Sequence, residues 1–158
     1  MVKRLPTDIL NIYDGVISDQ LSRNFIEPFL MDDKTCGHYI PHHSVHKDSS
    51  TTPIGVVYDC SCKQGNNPSL NDCLDNGPSL IKDLVAIRIR FRLYPTGFIS
   101  AIEKAFLNIQ LEENDRDYTK FSWLSDPADP DSDFIVYRFK AISSGDVNSL
   151  FILNAESE

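Results

Sequence analysis

The sequence lacks any long uninterrupted run of apolar residues, and no charged-then-apolar leader follows Met1. A membrane-spanning helix needs about 20 consecutive and mostly apolar residues, and a secretory signal needs a leader of that kind. We therefore expect an intracellular protein, cytoplasmic or nuclear, with no membrane partner. The reducing pool of that setting opposes disulfides, so we expect free thiols at Cys36, Cys60, Cys62 and Cys73.

Basic residues are also scarce, because 15 Lys and Arg stand against 23 Asp and Glu and leave a net charge of −8. Affinity for nucleic-acid phosphates comes largely from Lys and Arg, so this charge disfavours a strong free-standing nucleic-acid binder. Part of the acidity is concentrated in residues 126–133. The apolar content of 41% over 158 residues suffices for one compact domain or for a fragment of a larger one.

Hydrophobic spacing predicts an α+β fold without internal repeats. Apolar residues at three- and four-residue steps predict a helix over residues 7–22, capped by Thr7 or Asp8, and another over 79–92. The start of a buried helix is predicted at 150–153. The predicted strands cover residues 54–59, 97–102, 118–124 and 134–142, and the last two form a hairpin around the acidic loop.

Metal-binding patterns are incomplete in this sequence. A cluster of Cys and His residues between Cys36 and Cys73 contains zinc-ligand types, but Cys60 and Cys62 are separated by one residue, which fits no familiar zinc pairing. The segment that starts at Asp129 imitates a calcium loop. Phe134 occupies the position of its turn glycine, and Lys140 that of its bidentate glutamate. We therefore expect no bound metal.

Six blocks carry a family resemblance, in order along the chain: Tyr-Ile-Pro-His-His-Ser-Val (39–45), Ser-Thr-Thr-Pro-Ile-Gly-Val-Val-Tyr-Asp (50–59), Pro-Ser-Leu-Asn-Asp-Cys-Leu (68–74), Ile-Glu-Lys-Ala-Phe-Leu (102–107), Asp-Arg-Asp (115–117) and Leu-Asn-Ala (153–155). They resemble the reverse transcriptase of BEL/Pao-class LTR retrotransposons, over nearly the whole chain. The resemblance implies the fingers and truncated palm of a right-hand polymerase, as one partial reverse transcriptase-like domain over 1–158. Its parts would be an N-terminal helix and linker (1–37), fingers (38–96), the first palm strand and following turn (97–110), a fingers hairpin (111–142) and a truncated palm helix (143–158).

The resemblance also implies that polymerase chemistry is lost. Such enzymes transfer nucleotides with two Mg²⁺ ions held by three carboxylates. One carboxylate belongs at position 101, where this chain has Ala101, and the other two belong to a later hairpin beyond Glu158. Glu103 stands two residues on, but the family carries a glutamate there as well, so we expect it to be a solvated surface residue. No catalytic or metal-binding residue is therefore intact, and no cofactor is expected to be bound.

Four residues match positions near the nucleotide in the family, and two of them, Phe106 and Lys47, have a plainer alternative. Phe106 matches the aromatic gate against the ribose 2′-hydroxyl, or is ordinary core packing. Asp59 matches the fingers aspartate, and Lys47 is placed to approach a triphosphate or to lie in a solvated loop. Gly145 survives from a Pro-Phe-Gly segment that lines nucleotide and template. In contrast, Gly55 replaces an arginine that would clamp the triphosphate.

Two functional classes follow from these observations. The first is a degenerate fragment of a retrotransposon reverse transcriptase, inactive alone, that retains weak contact with an RNA/DNA template-primer. The candidate contacts are Lys82, Arg88, Arg90, Arg92 and Lys104. The alternative is a non-catalytic nucleic-acid or protein interaction module that uses the remnant fold. A truncated palm would also expose apolar surface near 150–153, which predicts self-association.

Overall fold

The protein has an α+β fold in the computed structural model, which describes residues 5–29, 38–46, 54–78, 84–129 and 131–156. This class was predicted from the sequence and is confirmed. The helices are α1 (Thr7–Ser22), α2 (Leu70–Cys73), α3 (Leu84–Arg92) and α4 (Ser149–Glu156), and the strands are β1 (Ile26–Pro28), β2 (His42–His46), β3 (Ile54–Tyr58), β4 (Lys120–Leu124) and β5 (Phe134–Phe139). Two short 3₁₀ turns, Ala105–Asn108 and Arg116–Tyr118, lie between α3 and β4.

Two small antiparallel sheets are present. The larger has the order β1-β5-β4, and its β4–β5 ladder runs from Lys120 opposite Arg138 to Leu124 opposite Phe134. The predicted hairpin is confirmed with shorter strands, because Tyr118 belongs to a 3₁₀ turn and the second strand ends at Phe139. The smaller sheet pairs β2 with β3. Its strand β3 confirms the prediction over residues 54–59.

Helix α1 has the bounds that its apolar spacing predicted. Its buried residues, Leu10, Tyr13, Ile17 and Gln20, recur at three- and four-residue steps and face the sheets. The helix begins after Pro6, and no side chain caps its first turn, so the predicted capping by Thr7 or Asp8 is wrong. No helix in the described part of the chain is long and apolar enough to cross a membrane.

His42 belongs to the aromatic core that joins α1 to both sheets. Its Nε2 lies 2.9 Å from the Ser122 carbonyl oxygen, which only accepts, so Nε2 donates and Nδ1 accepts the Tyr13 hydroxyl. The rings of Phe121 and Trp123 also pack around it. Burial lowers the pKa of His42, which keeps the imidazole neutral. The Pro-His-His block thus contributes a core residue to the fold.

The strand predicted at 97–102 is wrong. These residues form an irregular segment on the surface, with Phe98 91% exposed and Ile99 90% exposed. An apolar run forms a strand when its backbone hydrogen-bonds to a neighbouring strand and its side chains are buried in a core. In the described parts of the chain, no strand pairs with this segment. The prediction that it lies inside the domain is therefore wrong as well.

The helix before this segment and the helix near the end of the chain are confirmed in part. Residues 84–92 of the helix predicted over 79–92 are helical, and residues 79–83 lie outside the described part of the chain. Helix α4 is present, but Leu150 is exposed and Phe151, Ile152 and Leu153 are only half-buried. The expected buried helix is thus only partly covered, and self-association through this surface stays a prediction.

Candidate functional site

A pocket of about 270 Å³ brings together three distant stretches of the chain. We call it the Phe106 pocket. Strand β3, the turn around Phe106 and the segment just before Gly145 all contribute to it, and α1 and β5 close its sides. Its lining residues are Gln20, Val56, Tyr58, Lys104, Phe106, Leu107, Phe139, Ser143 and Ser144.

A charged cluster fixes the turn that carries Phe106. Asp19 on α1 pairs with Lys104 and, at 3.0 Å, with Nε of Arg23, and Arg23 also pairs with Glu103 at 2.9 Å. The hydrogen bond from Lys104 is the largest cause of the lowered pKa of Asp19. Lys104 itself has the left-handed backbone conformation, with φ of 51°. The 103–104 turn is therefore tied to the end of α1, and Phe106 follows it directly.

Magnesium does not fit the residues at the expected palm position. Ala101 lies in the exposed irregular segment and has no side-chain oxygen. The Glu103 carboxylate, expected to be a solvated surface group, is 74% exposed and paired with Arg23. Mg²⁺ requires several oxygen ligands in near-octahedral geometry. Among the described residues, no group of three or more His, Cys, Asp and Glu side chains is placed to hold a metal ion.

The backbone at Gly145 packs tightly against the end of strand β3. A Cβ atom at this position would lie 2.4 Å from the Tyr58 carbonyl oxygen and 3.1 Å from the Cys60 sulfur. The Gly145 carbonyl accepts a hydrogen bond from the Asn71 side chain at 3.1 Å, and its N–H donates to Ser143 Oγ at 3.1 Å. The missing side chain thus lets this turn contact the end of β3 and places Ser143 and Ser144 at the pocket.

The other predicted nucleotide residues do not line the Phe106 pocket. Asp59 follows Tyr58 directly, but its carboxylate accepts the Ser61 backbone N–H at 3.0 Å and its own N–H donates to the Pro41 carbonyl at 2.8 Å. Its contacts are those of a turn that ends β3. Lys47 lies outside the described residues. Of the four candidates, Phe106 lines the pocket and Gly145 packs beside it.

A buried thiol–carboxylate pair lies behind the pocket, and the sequence did not predict it. The Cys60 thiol donates to Asp146 Oδ1 at 3.0 Å, and the Ser143 backbone N–H donates to Oδ2 at 3.1 Å. Burial raises the pKa of Asp146, and burial beside this carboxylate raises the pKa of Cys60. A protonated thiol is a poor nucleophile, so this geometry does not suit Cys60 as a catalytic thiol. The sequence contains one local indication of this arrangement. Asp146 follows Ser143 by three residues, a spacing that suits a turn in which a carboxylate accepts a backbone N–H.

The cysteines in the described part of the chain are free thiols, as expected. Cys60, Cys62 and Cys73 form no disulfide, and Cys36 lies outside the described residues. Cys60 is buried, Cys62 is partly exposed and Cys73 is exposed. Their reactivity toward an alkylating reagent should therefore differ, because access and thiolate fraction set the rate.

The tight contact at Gly145 yields a stability prediction. Gly145→Ala should lower the free energy of unfolding by about 1–3 kcal/mol, because the clashing atom belongs to the backbone and cannot rotate away. Gly15→Ala is the matched control, since nothing lies within 4 Å of a Cβ at this exposed position in α1. It should stabilise the protein by about 0.5–1 kcal/mol. Urea unfolding measures both, and an unchanged midpoint for Gly145→Ala would contradict the packing described here.

The sequence matches no protein-family model, and it matches no curated protein. The chemistry of this site therefore follows from its own geometry. Within the described residues, that geometry is a small pocket with one charged wall residue, Lys104, which Asp19 already neutralises.

Proposed function

We propose that this chain is a catalytically inactive relative of BEL/Pao-class reverse transcriptases, equivalent to the fingers and truncated palm of a right-hand polymerase. One observation supports this proposal. The resemblance assigns the blocks of Asp59, Phe106 and Gly145 to the surroundings of the nucleotide, and each block contributes a residue to the Phe106 pocket: Tyr58, Phe106 and Ser144. They are separated by tens of residues along the chain, so their meeting does not follow from local sequence.

The proposed inactivity rests on missing charge. Nucleotide transfer needs metal ions held by carboxylates and cations that hold the triphosphate. Ala101 supplies no oxygen, and the Glu103 carboxylate is paired with Arg23. The triphosphate arginine is replaced by Gly55, which is buried in β3, and Lys104 is held by Asp19. The charges that the reaction requires are thus absent or neutralised in the described residues.

Restoring one carboxylate should not restore polymerase activity. Position 101 lies in an exposed segment, so Ala101→Asp would place one carboxylate in solvent without the two further ligands of a two-metal site. We expect the natural chain and Ala101→Asp to give no primer extension above a buffer blank, with Mg²⁺ or with Mn²⁺. Ala101→Asn is the uncharged control of the same size. An active reverse transcriptase is the positive control, which shows that the primer-template can be extended. Template-dependent extension by the natural chain or by Ala101→Asp would overturn this proposal.

A residual contact with template-primer nucleic acid is part of the same proposal. Arg88, Arg90 and Arg92 are exposed on α3, and no carboxylate of the described chain forms an ion pair with them. Exposed aromatic rings accompany them at Phe91 and Phe98. In single-stranded nucleic-acid binders, cations pair with the phosphates and neighbouring aromatic rings stack on the bases. Of the other candidates, Lys104 is occupied by Asp19, and Lys82 lies outside the described residues.

Salt dependence tests this contact and separates it from a protein interaction module. Fluorescence anisotropy with a labelled RNA/DNA primer-template should show weak binding whose logarithm falls linearly with the logarithm of salt concentration. Changing Arg88, Arg90 and Arg92 together to Gln should reduce that slope by about 0.9 for each arginine that contacts a phosphate. Lys63→Gln is the control, because Lys63 pairs with Asp72. Equal slopes would contradict the assignment, and no binding at low salt would favour the protein interaction module.

A further inference from the structure

A second cavity, of about 470 Å³, shares no lining residue with the Phe106 pocket. It lies between α2, the turn before β4 and residues 142–152, and we call it the α2 cavity. Its volume falls within the range of about 300–1,000 Å³ that is typical of small-molecule sites. Most of its wall is aliphatic, from Leu70, Leu74, Leu111, Ile142 and Ile152.

The polar groups of the α2 cavity carry charge of one sign. Asp146 and Asp115 line it, together with the neutral side chains of Asn148 and Tyr118, and no lysine or arginine lines it in the described chain. Asp146 is only 7% exposed. Two carboxylates with no cation among the described lining residues make the cavity electronegative, so it repels anionic ligands such as nucleotides.

Asp146 has unused hydrogen-bonding capacity. Its two oxygens each accept one hydrogen bond, from the Ser143 N–H and the Cys60 thiol, and both donors are uncharged. A carboxylate offers about four lone-pair sites. Burial raises the pKa of Asp146, and no Lys or Arg among the described lining residues offsets this effect. A ligand that brings a positive charge to this point would supply the missing partner.

We propose that the α2 cavity binds a small amphipathic molecule that carries a protonated amine. The ammonium group pairs with Asp146 and Asp115, and the hydrocarbon part lies against the aliphatic wall near Leu111 and Ile152. An alcohol of the same shape fills the same space but leaves the carboxylates without a cation. A carboxylic acid of that shape is rejected by the negative field. This proposal does not depend on the relation to reverse transcriptases.

Cys73 provides a direct readout, because its exposed thiol lines the α2 cavity. The rate of Cys73 alkylation by iodoacetamide, followed by mass spectrometry, measures occupancy by a competing ligand. The probes are 4-phenylbutylamine, 4-phenylbutanol and 4-phenylbutyrate, which share one hydrocarbon skeleton. Cys62 is the control within the same molecule, since it does not line the cavity. The amine should protect Cys73 at a concentration at least about tenfold lower than the alcohol, because a charge-assisted contact is lost in the alcohol.

Charge-removing variants test the assigned contacts. Asp115→Asn changes an exposed residue, so the fold should be retained, and protection by the amine should need a several-fold higher concentration. Glu113→Gln is the control, an exposed carboxylate nearby in the sequence that does not line the cavity. Asp146→Asn, if its melting curve shows a folded protein, should reduce the preference for amine over alcohol, because only Asp115 then remains to pair with the ammonium group.

Any of the following results would overturn this proposal: no protection of Cys73 by the amine, equal protection by all three probes, or unchanged protection by the amine in Asp115→Asn. The last result decides the question even if Asp146→Asn fails to fold. Protection of Cys62 together with Cys73 would also count against it, because it would show a general effect of the probe on the protein.

Discussion

The packing of Tyr58 joins the two sheets to helix α1, and the rest of the structure depends on it. Its ring packs edge-on against Phe139 and Phe121, with centroid distances of 4.7 and 5.0 Å, and its hydroxyl donates to the Gln20 side chain at 2.9 Å. Two sheets and α1 thus meet at one residue. A two-stranded sheet is only marginally stable alone, so β2 and β3 depend on this packing. The carbonyl of Tyr58 in turn sets the position of Gly145.

The geometry of the Phe106 pocket follows from contacts that have no part in catalysis. Aromatic packing positions β3, the Asp19 cluster positions the turn before Phe106, and the absent side chain at Gly145 positions the serines. Ala101 takes part in none of these contacts. The shape of the pocket therefore does not depend on which side chain stands at position 101.

Local sequence patterns predicted the elements whose burial is periodic, and non-local contacts decided the rest. Helix α1 and the β4–β5 hairpin were predicted because their apolar spacing matches the faces that they bury. Residues 97–102 have the composition of a strand, but a strand also needs a partner, and composition does not supply one. Strand β2 was not predicted because His42 is a polar residue by type, although it is a core residue in the structure.

The candidate site was predictable only in its parts. The resemblance pointed to Phe106 and Gly145, and the structure places both beside Tyr58. Glu103 looked like a free carboxylate, but its partner Arg23 lies 80 residues away in the sequence. Asp146 pairs with the Cys60 thiol, which lies 86 residues away in the sequence. Pairings over such distances depend on the fold, so no local pattern reveals them.

Native-state hydrogen exchange tests the central claim most directly, namely that α1 and the two sheets fold together without a strand at 97–102. Amides in the cooperative core exchange only through global unfolding, and exposed irregular segments exchange near their intrinsic rates. We predict the slowest exchange in β4 and β5, and nearly unprotected amides from Phe98 to Ile102. Protection of those amides to the level of β5 would show a paired strand there and would contradict the account.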